Sequence, residues 1–204
     1  MKTIIYAQGD DDVITTAPNM VVNILLSPYQ RIRKYPEKPF MLDNGGFQGK
    51  TVSSERLLEA CEKMKPRLVI APDVRYDPLA SEKLTLDFLE KANEKILKNT
   101  CVVFRPKLSK ILESLKLYGD YGVEWLGFPS GENLGVFKTL QKRRFKKVYD
   151  DYGFRTHVLG SKTGITNIGV NIHFDSIDFV AADIHEYNAK LGEVQMLEDL
   201  KSLE

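Results

Sequence analysis

Cysteine is scarce in this chain: only Cys61 and Cys101 occur in 204 residues. Each sits inside an apolar segment, so both read as core packing, and no Cys/His cluster has zinc-ligand spacing. No disulfide framework, structural metal or cofactor is therefore expected. Histidine is almost as rare, and His157, His173 and His185 show no metal spacing, so each reads as structural or surface. No run approaches the roughly 20 apolar residues that span a bilayer. The N-terminal stretch has one Lys and a short apolar run, but Asp10, Asp11 and Asp12 follow at once and no small-residue cleavage site appears. It reads as a first strand and not as a signal peptide. An excess of one charge is also missing, since 29 basic residues oppose 28 acidic ones for a net charge of +1. There is no overall basic signature for nucleic acid. These absences lead to the expectation of a cytoplasmic protein without a membrane partner.

What is present is the composition of an ordinary globular protein, 43% hydrophobic and 28% charged. The length suits one well-buried core, and no repeat, low-complexity segment or linker divides it, so residues 1–204 read as a single domain. Basic residues are unevenly spread. Arg31, Arg33 and Lys34 form one cluster, and Lys138, Lys142, Arg143, Arg144, Lys146 and Lys147 form another. The second is either a solvated helix face or a surface for backbone phosphates, with Lys142, Arg143 and Arg144 the candidate contacts.

Short runs rich in Val, Ile and Phe alternate with longer amphipathic segments, the pattern of βα units on a parallel sheet. Strands are expected at Thr3–Ala7, Val21–Leu26, Phe40–Leu42, Leu68–Ala71, Cys101–Phe104, Trp125–Phe128, Thr156–Leu159 and Ser176–Ala181. Ser53 and Ser54 cap a helix through Leu57, Leu58, Cys61 and Met64, which Pro66 stops. Further helices are expected from Ser81 through Ile96, from Ser109 through Leu115, over Leu134–Tyr152 up to Gly153, and from about Tyr187 to Leu203. Eight strands with intervening helices give an α/β fold, a compact (β/α)8 TIM-type barrel. The helix-poor stretch before Phe40 is the weak part of that count, and an open doubly wound sheet is the alternative.

Several strands end in polar or Gly-rich sequence, and in parallel α/β folds those ends carry the site. Asp43 follows the strand at Phe40–Leu42, and Gly45 and Gly46 leave room for a ligand to approach backbone and carboxylate. Phe47 offers a flat face to a planar ring or is a core aromatic, and Gln48 can orient the loop. Asp73 ends Ala71-Pro72-Asp73; it can accept from the ring N–H and exocyclic amine of a guanine-type edge, or pair with Arg75. Gly127 and Phe128 bring main-chain groups to a ligand, Glu132 can hold that loop, and Leu159 can form the wall opposite Phe47. In the last strand Asp178 lies among Ile177, Phe179 and Val180. A carboxylate there has a raised pKa or serves as a nucleophile. Asp175 reads as a strand-start cap.

These segments together resemble the tRNA-guanine transglycosylases and their DNA-modifying relatives, the queuosine- and archaeosine-type enzymes that insert 7-deazaguanine bases. Leu42-Asp43-Asn44-Gly45-Gly46-Phe47-Gln48 is similar to their D-S-G-G-F/Y-Q motif, with Asn44 in place of Ser. Ala71-Pro72-Asp73 stands where the family has its base-reading Asp. Gly127 to Glu132 is similar to the G-L-A-V-G-E loop, and His157-Val158-Leu159-Gly160 to Y-L-M-G. Asp175 to Val180 is similar to D-M-F-D-C-V, whose second Asp is the nucleophile. The resemblance implies a TIM barrel and a ping-pong glycosyltransferase. Asp178 would attack C1′ and Asp43 would carry the proton of the leaving and incoming base. Asp73 and the Gly127-Phe128 backbone would read the base, and Phe47 and Leu159 would sandwich it. The implied partners are a nucleic acid, DNA or tRNA, and a free guanine or 7-deazaguanine base. The oligomeric state is left open, a homodimer included.

Three departures accompany the resemblance. The three-Cys, one-His zinc subdomain has no counterpart here. Arg105-Pro106-Lys107 replaces the usual Gln after the fifth strand. Ala181-Ala182-Asp183 replaces Pro-Thr-Arg after the nucleophile motif and removes a cationic contact. Together they favour DNA or an atypical polynucleotide over tRNA. The rival readings are a small retaining glycosidase or nucleoside hydrolase, a non-catalytic nucleic-acid-binding paralogue, and a plain scaffold with a phosphate site.

Overall fold

The structure is a computed structural model that describes residues 4–8, 21–26, 39–45, 52–74, 77–129, 136, 139–140, 142–159 and 175–180. Its strands are β1 (Ile4–Gln8), β2 (Val21–Leu26), β3 (Phe40–Leu42), β4 (Leu68–Ile70), β5 (Thr100–Val103), β6 (Trp125–Pro129), β7 (Arg155–Leu159) and β8 (Ser176–Val180). The described helices are α1 (Ser54–Met64), α2 (Pro78–Lys91), α3 (Glu94–Lys98), α4 (Ile111–Asp120) and α5 (Arg143–Asp151). Neighbouring strands pair in parallel and in chain order, and the β8 backbone pairs in turn with β1.

The expected compact (β/α)8 TIM-type barrel is corrected by this arrangement. The part of the molecule built from alternating strands and helices is a five-strand, all-parallel, curled half-barrel with five helices. It runs from β3 to β7. Among the described residues no helix accompanies β1, β2 or β8, and the alternating βα repeat is confined to β3–β7. The physical reason lies in the sequence. Short apolar runs suffice for strands, but a helix layer also needs amphipathic segments at every crossover, and the stretch before Phe40 has little of that pattern.

Strand alternation sorts the half-barrel into two layers. Leu42, Val69, Ala71, Val102, Phe104, Leu126 and Phe128 face the helices and pack with Leu57, Cys61, Phe88, Leu89, Ile111, Leu115 and Phe145. Met41, Leu68, Ile70, Cys101, Val103 and Trp125 form the other layer, with Leu159 packed against it. The register pairs Met41↔Leu68, Ile70↔Cys101 and Cys101↔Trp125 keep that inner layer continuous across four strands.

Helix boundaries follow local chemistry. Ser53 caps α1 by accepting the Arg56 N–H, and Lys65 closes it in the left-handed conformation just before Pro66. The expected helix from Ser81 to Ile96 is instead two. Asp77 caps α2 with Pro78 in its first turn, the chain turns extended at Ala92, and Asn93 caps α3 afresh. The expected Leu134–Tyr152 helix is interrupted at Lys142, whose extended backbone starts α5. Gly153, at φ 66°, follows its end as expected. The expected helix at Tyr187–Leu203 lies outside the described residues. No described helix is long and apolar enough to cross a membrane.

Candidate active site

The C-terminal ends of β3, β4 and β5 bring three charged side chains together around one residue, Asn44. Asn44 is buried, and both hydrogens of its side-chain amide are used: Nδ2 donates to the Ala71 carbonyl at 2.6 Å and to Asp73 Oδ1 at 2.7 Å. The other Asp73 oxygen, Oδ2, accepts from Arg105 Nη1 at 2.6 Å. The pair is well shielded, with side-chain exposures of 15% for Arg105 and 10% for Asp73. Charge-assisted bonds of this length in a shielded setting are among the stronger polar contacts a protein makes. The main chain of Asn44 also donates to Asp43 Oδ1 at 2.8 Å, so one residue ties both carboxylates together.

The β4 end is held from the helix side as well. Thr85 Oγ1 of α2 donates to the Pro72 carbonyl at 3.0 Å. Ser81 Oγ accepts from the Val74 N–H and donates to the Val74 carbonyl, each at 2.8 Å. Asp73 thus sits on a segment pinned on both sides, as a recognition group requires.

The two carboxylates differ electrostatically. Burial raises the Asp43 pKa above its ordinary 3.8; the N–H groups of Asn44 and Gly45 oppose this, and the nearby negative charge of Asp73 adds to it. Asp73 has the Arg105 guanidinium against it. A raised pKa suits Asp43 to moving a proton, and the Asn44 and Arg105 bonds suit Asp73 to accepting fixed hydrogen bonds.

Gly45 is buried with φ 74°, a conformation that favours glycine. Gly127 has a packing reason of its own: a Cβ there would lie 2.9 Å from both Cys101 Sγ and Leu159 Cδ1. Its carbonyl accepts from the Phe104 N–H at 2.8 Å. The Phe128 ring packs edge-on to Phe104 in the helix-facing core, which leaves its main chain for contact with a ligand on the inner side of the sheet. Leu159 is half-buried at the end of β7 beside Gly127.

Asp178 contributes its backbone position, opposite Tyr6 of β1 and two residues beyond Ser176. Its side chain lies outside the described residues, as do Gly46, Phe47, Gln48, Glu132 and Arg75. Asp175 acts as the strand-start cap expected of it, with Oδ2 accepting the Thr156 N–H at 2.8 Å. Lys142, Arg143 and Arg144 are exposed at the start of α5, with the Arg144 guanidinium over the Phe145 ring. Lys146 is paired with Asp150, and Lys138 lies outside the described residues.

Sequence reasoning missed two features. Asn44 registered only as a substitution for Ser, and the signal was its second N–H, which a hydroxyl lacks. The other is the fully buried contact of His157 Nδ1 with Ser176 Oγ at 2.7 Å, between register partners of β7 and β8. Burial pushes His157 down to about 3, so it is neutral in the fold. Because the folded value lies below the usual 6.5, stability is full above that pH and is lost as pH falls from 6.5 towards 3. His157→Gln is expected to flatten this part of a stability–pH curve measured by denaturant melts; an unchanged slope would exclude His157 as its source.

No group of three or more His, Cys, Asp or Glu able to hold a metal occurs among the described residues. Compared with protein-family models and with curated proteins, the chain matches none.

Proposed function

We propose that the protein exchanges a guanine-type base for a 7-deazaguanine derivative in a nucleic acid, DNA or tRNA. Asp178 is the nucleophile and Asp43 its acid/base partner. Asp178 attacks C1′, the bond from C1′ to the base breaks, and Asp43 gives its proton to the departing base. The incoming base then loses a proton to Asp43 and attacks C1′, releasing the Asp178 carboxylate and restoring the protonated Asp43. This is retaining glycosyl transfer through an oxocarbenium-like transition state. The base must be out of the stack for either step, so the reaction acts on unpaired or flipped nucleotides of a cytoplasmic nucleic acid.

The observation that carries this reading is the Asp43–Asn44–Asp73–Arg105 network at three adjacent strand ends. It supplies a proton carrier with a raised pKa beside a fixed acceptor. A non-catalytic binding protein has no need of a carboxylate desolvated in this way, since such burial costs stability. The test is incubation with labelled guanine and either tRNA or duplex DNA, with denaturing gels to reveal a covalent adduct. Incorporation into one polynucleotide supports exchange. Cleavage of free nucleosides with no need of a polynucleotide favours the glycosidase reading.

The nucleic-acid backbone is assigned to the start of α5. β6 and β7 are parallel and α5 lies between them, joined to β7 by residues 152–154. The start of α5 therefore lies at the same end of the sheet as Asp43, Asp73 and Arg105. Its charges oppose the helix dipole, with Arg143 and Arg144 at the positive end and Asp150 and Asp151 at the negative end. A bound phosphate relieves that opposition. Replacing Lys142, Arg143 and Arg144 with Ala is expected to weaken polynucleotide binding at all sequences. The slope of log affinity against log salt should fall by about 0.9 for each duplex phosphate that is no longer neutralised. An unchanged slope would remove α5 from the interface.

A further inference from the structure

Three large apolar side chains remain exposed among the described residues: Leu79 at 71%, Leu108 at 66% and Leu112 at 38%. Single exposed leucines are ordinary, but these share one end of the fold. Leu79 opens α2, and Leu108 and Leu112 flank the start of α4, the helices that follow β4 and β5. The exposed apolar surface therefore lies at the strand ends that hold Asp73 and Arg105. Charge separates the two helix starts. Leu79 has Asp77 two residues before it and Glu82 and Lys83 one turn on, with no net attraction for an anion. Leu108 stands between Lys107 and Lys110, and residues 105–112 contain no acid. Neither lysine makes an ion pair among the described residues. The turn that presents them is well held. The Lys110 N–H donates to the Lys107 carbonyl at 2.8 Å, and Ile111, the next residue, is fully buried in the helix-facing core.

We propose that the turn from Lys107 to Lys110 seats a base-paired strand beside the nucleotide being exchanged. Leu108 enters the gap that the extruded nucleotide leaves in the stack, and Lys107 and Lys110 hold the phosphates on either side. Extrusion costs stacking and pairing, and an apolar side chain in the vacated place recovers part of the lost contact. Leucine suits this role because it brings no polar group to be desolvated between bases. The lysines are point charges on long stems, so they follow a phosphate backbone without reading its sequence. The cation on each side of Leu108 selects this occupant over a second copy of the chain or an apolar peptide, neither of which offers paired anions. Leu112 extends the apolar surface by one turn along α4.

The inference rests on the base-exchange reading, and the experiment separates the two. Incorporation of labelled guanine is measured for the full chain and for Leu108→Ala, Leu108→Met, Leu79→Ala and the double variant Lys107→Ala, Lys110→Ala. The substrates are a DNA duplex and an RNA hairpin with the target guanine paired, and short single strands of the same sequences. Leu108→Ala is expected to lower incorporation into a paired substrate at least about tenfold more than into its single strand. Leu108→Met, which fills a similar volume, should keep most of the parent's rate on paired substrate. Leu79→Ala should match the parent on both. Loss of the two lysines should lower the salt slope of duplex binding by about 0.9 for each phosphate released. A Leu108→Ala loss that is absent, or equal on paired and single strands, overturns the inference while leaving base exchange standing. An equal loss in Leu79→Ala, an unchanged salt slope in the double variant, or parent activity confined to single strands does the same. If the parent protein incorporates guanine into none of these polynucleotides, both readings fall.

Discussion

Asp178→Asn is expected to abolish both the covalent adduct and guanine exchange, with a loss of at least about 10³-fold in rate. The amide has no anionic oxygen to attack C1′. Folding should survive, because Asn has nearly the same shape and can take up the same backbone ladder opposite Tyr6. The measurement is single-turnover incorporation of labelled guanine, with denaturing gels for the adduct. Full exchange by this variant would sink the mechanism. A finer test is the separation of the Asp43 and Asp178 carboxyl groups in a liganded complex. Retaining transfer needs about 5–5.5 Å, and a distance beyond about 10 Å would end the two-carboxylate reading.

Asp43→Asn is expected to separate the two halves of the reaction. Attack by Asp178 still has its nucleophile, but the departing base loses its proton donor and the incoming base its acceptor. Turnover should drop by about 10²–10⁴-fold, the usual worth of a positioned acid/base group. The pH dependence supplies a second, independent readout. Burial raises the folded pKa of Asp43 above the ordinary 3.8. A carboxyl group shifted in that direction adds stability below its unfolded pKa and loses it as pH rises through its folded value. Above its folded pKa the ionised, partly buried Asp43 therefore costs stability. Asp43→Asn should melt at a higher temperature than the parent near pH 7, with the difference shrinking as pH falls towards about 4. A variant less active yet more stable is the signature of a group kept for chemistry. A variant equally active, or destabilised at every pH, would assign Asp43 to the scaffold instead.

The two predictions draw on different levels of legibility. Strand positions are readable because apolar runs bounded by turn residues are local facts. β2 and β3 have the bounds that their sequence suggests, β1 and β5 are shifted by one residue at both ends, and the others differ by one residue at a single end. The α/β class follows from the same alternation. The complete (β/α)8 repeat does not, because strand number alone says nothing of helix-backed crossovers, and the sequence before Phe40 carries little helical periodicity. The helix breaks at Ala92 and Lys142 are hidden in the sequence for a related reason. Apolar spacing continues through both, and only the Asn93 cap and the extended backbone at Lys142 interrupt the hydrogen-bond ladder.

For the candidate site, residue types and their order along the chain mark Asp43, Asp73 and Arg105 as side chains at strand ends. Their partnership cannot be read that way. Asp73 makes an ion pair with Arg105, 32 residues away, which its neighbours along the chain do not announce. Parallel strands joined by crossover helices make residues distant in the chain adjacent at one end of the sheet, so the pairing is set by register and not by separation. Asn44 is the clearest case. Its sequence position makes it a loop residue, and only the fold brings the Ala71 carbonyl and the Asp73 carboxylate within reach of its two N–H groups. The sequence by itself determined which groups stand at the strand ends, because apolar runs and turn residues act locally. Tertiary structure decided which carboxylate is compensated and which is left with a raised pKa, because charge and burial act through space.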